Sequence, residues 1–190
     1  MRVKVLTLHA PYGPLIRLGV KVYETRPQPM RPLVGQRIAV HTAARWPQHL
    51  AAVGDWTVLA DGEVPALRRR GDVEAPPIPM PLGVIECTAL VTDCLPMVAA
   101  ADERRGERRL VVGPPAQRGV RRFLRVVGPS EGDPHEYADD QVPYGDYRPG
   151  RWALALADVE PLAVPMPFKG GQGLSRSIDV DELAEWQAAA

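Results

Sequence analysis

Glycine and proline punctuate this chain more densely than long regular elements tolerate. Its 190 residues include 17 Gly and 21 Pro, a fifth of the total. Each Pro removes a backbone donor, and each Gly weakens the interior of a helix or strand. A helical bundle is therefore disfavoured, and many short elements joined by turns are expected. The length suits one domain of ordinary size, or a small one carrying an insertion. Two cysteines, Cys87 and Cys94, form neither a disulfide framework nor a C-x-x-C pair and read as core residues of an apolar strand. The N-terminus lacks an apolar stretch of signal-peptide length, and no run approaches the roughly 20 apolar residues of a membrane span. The expectation is a soluble, cytoplasmic protein without a membrane partner.

Hydrophobic periodicity predicts a strand over Val3–Leu8 and then a short helix, with Pro11 in its first turn, Leu15, Ile16 and Leu18 as its apolar stripe and Gly19 at its end. Strands over Val20–Arg26 and Gly35–Thr42 follow. Residues 43–81 read as an insertion that is partly helical, around Pro47–Val53 and Glu63–Arg70, and that ends in the run Pro76, Pro77, Pro79 and Pro81. A long strand is expected over Gly83–Cys94, an antiparallel pair over Arg108–Val112 and Val120–Val127, and closing strands over Arg151–Ala157 and Glu160–Val164. Asp179 as cap, Glu182 at the capping-box position and the staple pair Ile178 and Leu183 predict a C-terminal helix over 177–190, docked on a single domain over 1–176.

The 23 basic and 23 acidic side chains cancel, which excludes a uniformly basic nucleic-acid coat but hides the distribution. Between Arg104 and Arg125 there are eight Arg and one acid, a local charge of +7; between Glu131 and Asp146 there are six acids and no Lys or Arg. Two readings stand side by side. The basic hairpin tracks a phosphate backbone through Arg108, Arg109, Arg118, Arg121, Arg122 and Arg125, or it folds against the acidic segment and the two screen each other.

Only three lysines occur, Lys4, Lys21 and Lys169, and one falls in the densest polar run, Gly19-Val20-Lys21-Val22-Tyr23-Glu24-Thr25-Arg26. On a strand Glu24 and Arg26 share a face, because side chains repeat every two residues. A carboxylate set beside cations can accept a hydrogen bond from the exocyclic amine of a cytosine-like base. A purely structural Glu–Arg pair has the same spacing. Tyr12, Tyr23, Tyr144 and Trp152 are candidates for stacking on a base, and each is equally a core or turn aromatic. His41, at the end of a strand, is a substrate-binding candidate or a hydrogen-bonded structural histidine. Lys169 sits in the Gly-rich turn Phe168–Gly173, which lacks the P-loop pattern.

The order Leu6-Thr7-Leu8, helix Pro14–Leu18, G-x-K-x-x-E-x-R and Gly35…Ile38-Ala39-Val40-His41-Thr42 resembles the ASCH domain of the PUA-like superfamily. Gly83-Val84-Ile85-Glu86-Cys87 with Val91-Thr92-Asp93-Cys94 is similar to that family's central strand. Tyr144–Leu154 and Pro165–Leu174 resemble the closing blocks of longer bacterial and phage members. The likeness covers roughly residues 3–42 and 82–175. It implies an α+β fold, a small β-barrel flanked by helices with an insertion and a C-terminal helix, and a cleft lined by Lys21, Glu24 and Arg26 that binds RNA or a modified nucleoside. Some members are amidohydrolases that deacetylate 4-acetylcytidine with a Lys, a Thr and a Glu, and ribonuclease activity is attributed to one branch. Lys21 matches the Lys. Glu24 occupies the Thr position, and Thr25 is one residue away, on the opposite face.

Three functions follow from these readings: an RNA- or nucleoside-binding module; a hydrolase at the same residues, with Glu24 as general base and Lys21 or Arg26 stabilising an oxyanion; or a protein-interaction adaptor. No metal or cofactor is expected, since His9, His41, His49 and His135 show neither H-E-x-x-H nor zinc spacing. Ser130, Ser175 and Ser177 lie in no G-x-S-x-G motif.

Overall fold

Alternation at the N-terminus organises the first of two units. A computed structural model describes residues 1–45, 51–60, 62, 64–102, 107–112, 124–125, 141, 144–147 and 150–189. The chain divides into a unit of Met1–Lys21, Gln36–Leu90 and Asp158–Ala190 and a unit of Val22–Gly35 and Val91–Ala157. The described residues are mostly strand with two α-helices, an α+β chain. The barrel expected from the resemblance is not closed by the described strands. No described helix is long and apolar enough to cross a membrane.

In the first unit, β1 (Arg2–Leu8) runs parallel to β3 (Arg37–Thr42), from Lys4 opposite Ile38 to Leu8 opposite Thr42. Helix α1 (Tyr12–Arg17) follows β1 and packs on β3. Gly19, at φ 72°, takes the left-handed conformation just after it, as expected of a helix end. The outer partner of β1 is the antiparallel β12 (Arg176–Asp179), and that of β3 is the start of β8 (Val84–Asp102). Strand alternation sorts the side chains between the two faces. Val3, Val5, Ala39 and Ile85 join Met166, Ile178 and Leu183 in one core, while Leu6, Leu8 and Val40 are buried on the other side.

The inserted segment departs from expectation. Its described part is an antiparallel meander, β4 (Ala52–Val53), β5 (Trp56–Leu59), β6 (Ala66–Arg69) and β7 (Ile78–Pro79). The predicted helix at Glu63–Arg70 is therefore strand β6. The Leu and Arg residues that favour helix there are overridden by ladder pairing on both sides and by burial of Leu67 opposite Val58. Of the predicted helix at Pro47–Val53, residues 47–50 lie outside the described residues; Ala52 and Val53 pair across the two-residue turn Gly54-Asp55.

The second unit is built on β2 (Tyr23–Arg26), antiparallel to the start of β11 (Trp152–Pro167), with Tyr23 opposite Ala155 and Arg26 opposite Trp152. The far part of β8 pairs with β9 (Glu107–Val112), and β9 pairs with β10 (Leu124–Arg125). The two closing strands read from sequence are one strand. Asp158 adopts φ 45° within it, a conformation Asp tolerates better than most residues, and Arg37 Nη1 donates to its carbonyl at 2.9 Å.

The C-terminal helix forms as α2 (Val180–Ala189). Asp179 Oδ1 accepts from the Asp181 N–H at 3.2 Å, a side-chain cap. Ile178 and Leu183 share one core, and Trp186 Nε1 donates to the Val164 carbonyl at 3.1 Å. Leu183→Ala should therefore destabilise the protein by about 2–4 kcal/mol in urea unfolding. A loss below about 0.5 kcal/mol, the level of surface substitutions, would mean that α2 adds little to the first unit.

Candidate functional site

Polar side chains gather in the first unit where the parallel strands end. Beyond the carboxyl ends of β1 and β3 lies α1, the position at which open sheets with parallel strands place ligands. Two sets of polar contacts involve α1 or the residues just after it. Lys21 is almost wholly buried, 1 % exposed, with Nζ 5.4 Å from the centroid of the Tyr12 ring. Glu86 is 0 % exposed: its Oε1 accepts from the Thr42 hydroxyl, and its Oε2 lies 3.7 Å from Arg17 Nη1. Oε2 has no hydrogen-bond partner among the described residues.

A bulge explains how an acid in an apolar strand came to face α1. Val40 pairs with Cys87 but His41 with Ile85, so Glu86 is the extra residue of β8. A bulge re-aims the side chain at its kink, here onto Thr42 and the helix. Gly13 covers the pair: a Cβ there would collide with Thr42 Oγ1 and approach Glu86 Oε1. Arg17, one turn further along α1, is 28 % exposed at its side chain. Burial dominates the electrostatics and raises the Glu86 pKa to about 7, against the Thr42 hydrogen bond and the Arg17 charge, which both lower it. The neighbouring Cys87 thiol is pushed up to about 12, first by burial and then by the Glu86 charge.

His41 points to the other face of the sheet. Its Nε2 lies 3.0 Å from the Phe168 carbonyl, so this nitrogen carries the proton, and Nδ1 is 3.3 Å from Thr7 Oγ1. Burial lowers its pKa despite the Phe168 bond. Gly170 passes so close to the ring that a Cβ would clash with it. These contacts fix His41 inside the unit, whereas Lys169 of the same turn is exposed.

The second unit contains the other half of the polar run. Glu24 and Arg26 lie on one face of β2, with Arg26 Nε 2.9 Å from Glu24 Oε1. Trp152 lies on the same face, directly across from Arg26. The guanidinium of Arg31 sits over the Trp152 ring, 5.0 Å from its centroid. Thr25 takes the opposite face and accepts from the Asp146 N–H at 3.0 Å. Tyr23 packs against Leu95, Met97, Tyr147 and Ala153, and Tyr144 is buried.

The candidates thus sort by place. Tyr12 meets Lys21 in the first unit; Glu24, Arg26 and Trp152 come together in the second. Arg108 and Arg109 are consecutive residues of β9, paired with Ala101 and Ala100, and Arg125 of β10 pairs with Val111. Arg118, Arg121 and Arg122, and the acids from Glu131 to Asp140, lie outside the described residues. Sequence reasoning missed Glu86, Thr42, Arg17 and Arg31. A lone acid within Val84–Val91 was a usable signal for Glu86, but the bulge that turns it inward has no local signature. Among the described residues no group of three or more His, Cys, Asp or Glu side chains could hold a metal ion.

No protein-family model matches the chain, and no curated protein matches it in sequence.

The raised Glu86 pKa has a definite sign in stability. The folded state binds the proton more tightly than the unfolded chain, so stability is fully present below about pH 4.5 and is lost as pH rises through about 7. Glu86→Gln keeps an acceptor for Thr42 and removes the titration. Its stability relative to wild type should rise between pH 5 and pH 8 by on the order of 3 kcal/mol at most. Parallel unfolding curves for the two proteins across that range would show that Glu86 does not titrate there.

Proposed function

We propose that the chain is an RNA- or modified-nucleoside-binding module of the ASCH type, reading a base through Glu24 and Arg26 of β2. One observation carries this reading. Both ionisable side chains of this strand are largely inside the second unit: Glu24 is 8 % exposed, and the Arg26 side chain is 18 % exposed. Lys and Glu are almost never fully buried without a reason, because desolvating a charge is expensive. A salt bridge placed inside for stability alone is a poor investment compared with apolar packing. A site that must discriminate a polar base edge does need such groups, since a pre-set carboxylate rejects bases that lack the matching amine.

In this reading Glu24 accepts from an exocyclic amine of the cytosine type, and Arg26 orients Glu24 and supplies positive charge for an electron-rich edge or phosphate. The test is calorimetric titration with cytidine, 4-acetylcytidine and a short cytidine-containing RNA. Glu24→Gln should weaken binding by about 1–3 kcal/mol. Equal affinity of wild type and variant for every cytidine ligand, or no binding to any of them, rejects the proposal.

The pairing of Glu86 with Thr42 favours a second reading, hydrolysis of an acylated cytidine or of RNA. A carboxyl that titrates near 7 and is bonded to a hydroxyl has the properties of a general base beside a nucleophile. Arg17 or Lys21 would then stabilise the oxyanion. This reading expects turnover of 4-acetylcytidine that rises with pH through about 7 and falls by about 100-fold or more in Glu86→Gln while nucleoside binding persists. Binding with no turnover in wild type leaves the binding module alone.

A further inference from the structure

The face of the β2–β11 ladder that bears Glu24 and Arg26 continues beyond that pair. Register sets Trp152 directly opposite Arg26 and Leu154 opposite Glu24. Trp152 is partly exposed, and Arg31, which covers its ring at 5.0 Å, is exposed. The line therefore runs carboxylate, guanidinium, indole, guanidinium.

The backbone that carries Arg31 is held in place. Arg31 opens a 3-10 turn, Arg31–Leu33, with Pro32 inside it and Pro27 and Pro29 before it. The Met30 N–H donates to Cys94 Sγ at 3.3 Å, the Gly35 N–H to the Val91 carbonyl at 2.8 Å, and Leu33 is buried. A planar cation resting on an aromatic ring at the surface offers a stacking platform. Single-stranded nucleic acids stack their bases on aromatic rings and on Arg guanidinium planes of this kind.

We infer that Trp152 and Arg31 form a second base subsite beside Glu24 and Arg26, so that the ligand is a single-stranded oligonucleotide of two or more nucleotides rather than a free nucleoside. The inference rests on the base-binding reading above and goes beyond it in ligand class. Arg26 and Arg31 are guanidinium groups on this face, and Arg presents paired N–H donors that suit the phosphodiester joining two bases. Base planes and phosphodiesters are common to RNA and DNA, so both are used as probes.

Cytidine, a cytidine pentamer RNA and its DNA counterpart are titrated into wild type, Arg31→Ala, Arg31→Lys and Glu24→Gln at fixed salt, with circular dichroism confirming the fold. Arg31 is exposed, so its replacement spares the core. Wild type should bind at least one pentamer about tenfold or more tighter than cytidine. Arg31→Ala should lose about tenfold for that pentamer and leave cytidine unchanged. Arg31→Lys, which keeps the charge without the plane, should retain the salt dependence but recover only part of the affinity. The pentamer bound more tightly identifies the backbone preferred. Pentamer affinity unchanged in Arg31→Ala, or wild type binding cytidine as tightly as both pentamers, overturns the subsite while Glu24-dependent binding stands. If no probe binds, or if Glu24→Gln changes none of them, the base-binding reading falls and takes the subsite with it.

Discussion

The parallel pairing of β1 with β3 is the constraint to which the first unit answers. Two parallel strands cannot be joined by a tight hairpin, so the chain between them must leave the sheet and return. It does so through α1, which lies on the face of Leu6, Leu8 and Val40 and opens just beyond the strand ends at Leu8 and Thr42. The register also decides which polar groups meet. Thr7 stands beside His41 on one face, and Thr42 is sent to the other, under Gly13. A slip of one residue would exchange these faces and place Thr42 among the apolar side chains around Met166 and Ile178.

Given that register, the bulge in β8 has a specific effect. Without it, strict alternation would put Glu86 on the face opposite Cys87, with Ala39 and Ile178. The additional residue lets Glu86 and Cys87 lie toward the helix side together, where Thr42 and Arg17 are available. The carboxyl is still under-compensated: one hydroxyl and a guanidinium 3.7 Å away do not balance removal from water, and the proton is retained to about pH 7. A stabilising design would place an apolar residue there.

Much of the fold was legible because it rests on local signals. The helix after β1 follows from Pro11 and Gly19, and the capped C-terminal helix from Asp179 with Ile178 and Leu183; β9 and β10 follow from apolar runs around a Gly-Pro turn. The segment from Ala52 to Pro79 was misread as partly helical because Ala66–Arg69 is made of good helix formers, and only pairing with β5 and β7 makes it a strand. The β12 strand was missed for a related reason: Arg176–Asp179 is short and polar and exists only because β1 offers an edge. The site divides along the same line. Glu24 and Arg26 on one face follow from a two-residue period. Trp152 opposite Arg26 depends on a register between segments more than a hundred residues apart, and Arg31 over Trp152 on a turn whose direction no local pattern gives.

Among the described residues, the buried carboxylates Glu24 and Glu86 differ in how they are held. Glu24 has a guanidinium nitrogen at 2.9 Å on its own strand, two residues away. Such a pair is rigid, and its direction is set by the strand, which suits the reading of a fixed donor on a ligand. Glu86 has its charge partner at 3.7 Å on a different element, through a side chain that is itself partly exposed. Burial rather than that partner dominates its proton equilibrium: desolvation raises the Glu86 pKa, and the Thr42 hydrogen bond lowers it more than the Arg17 charge does. Glu24 is thus held by a partner built into its own strand, and Glu86 by a hydroxyl and a charge that reach it from other elements.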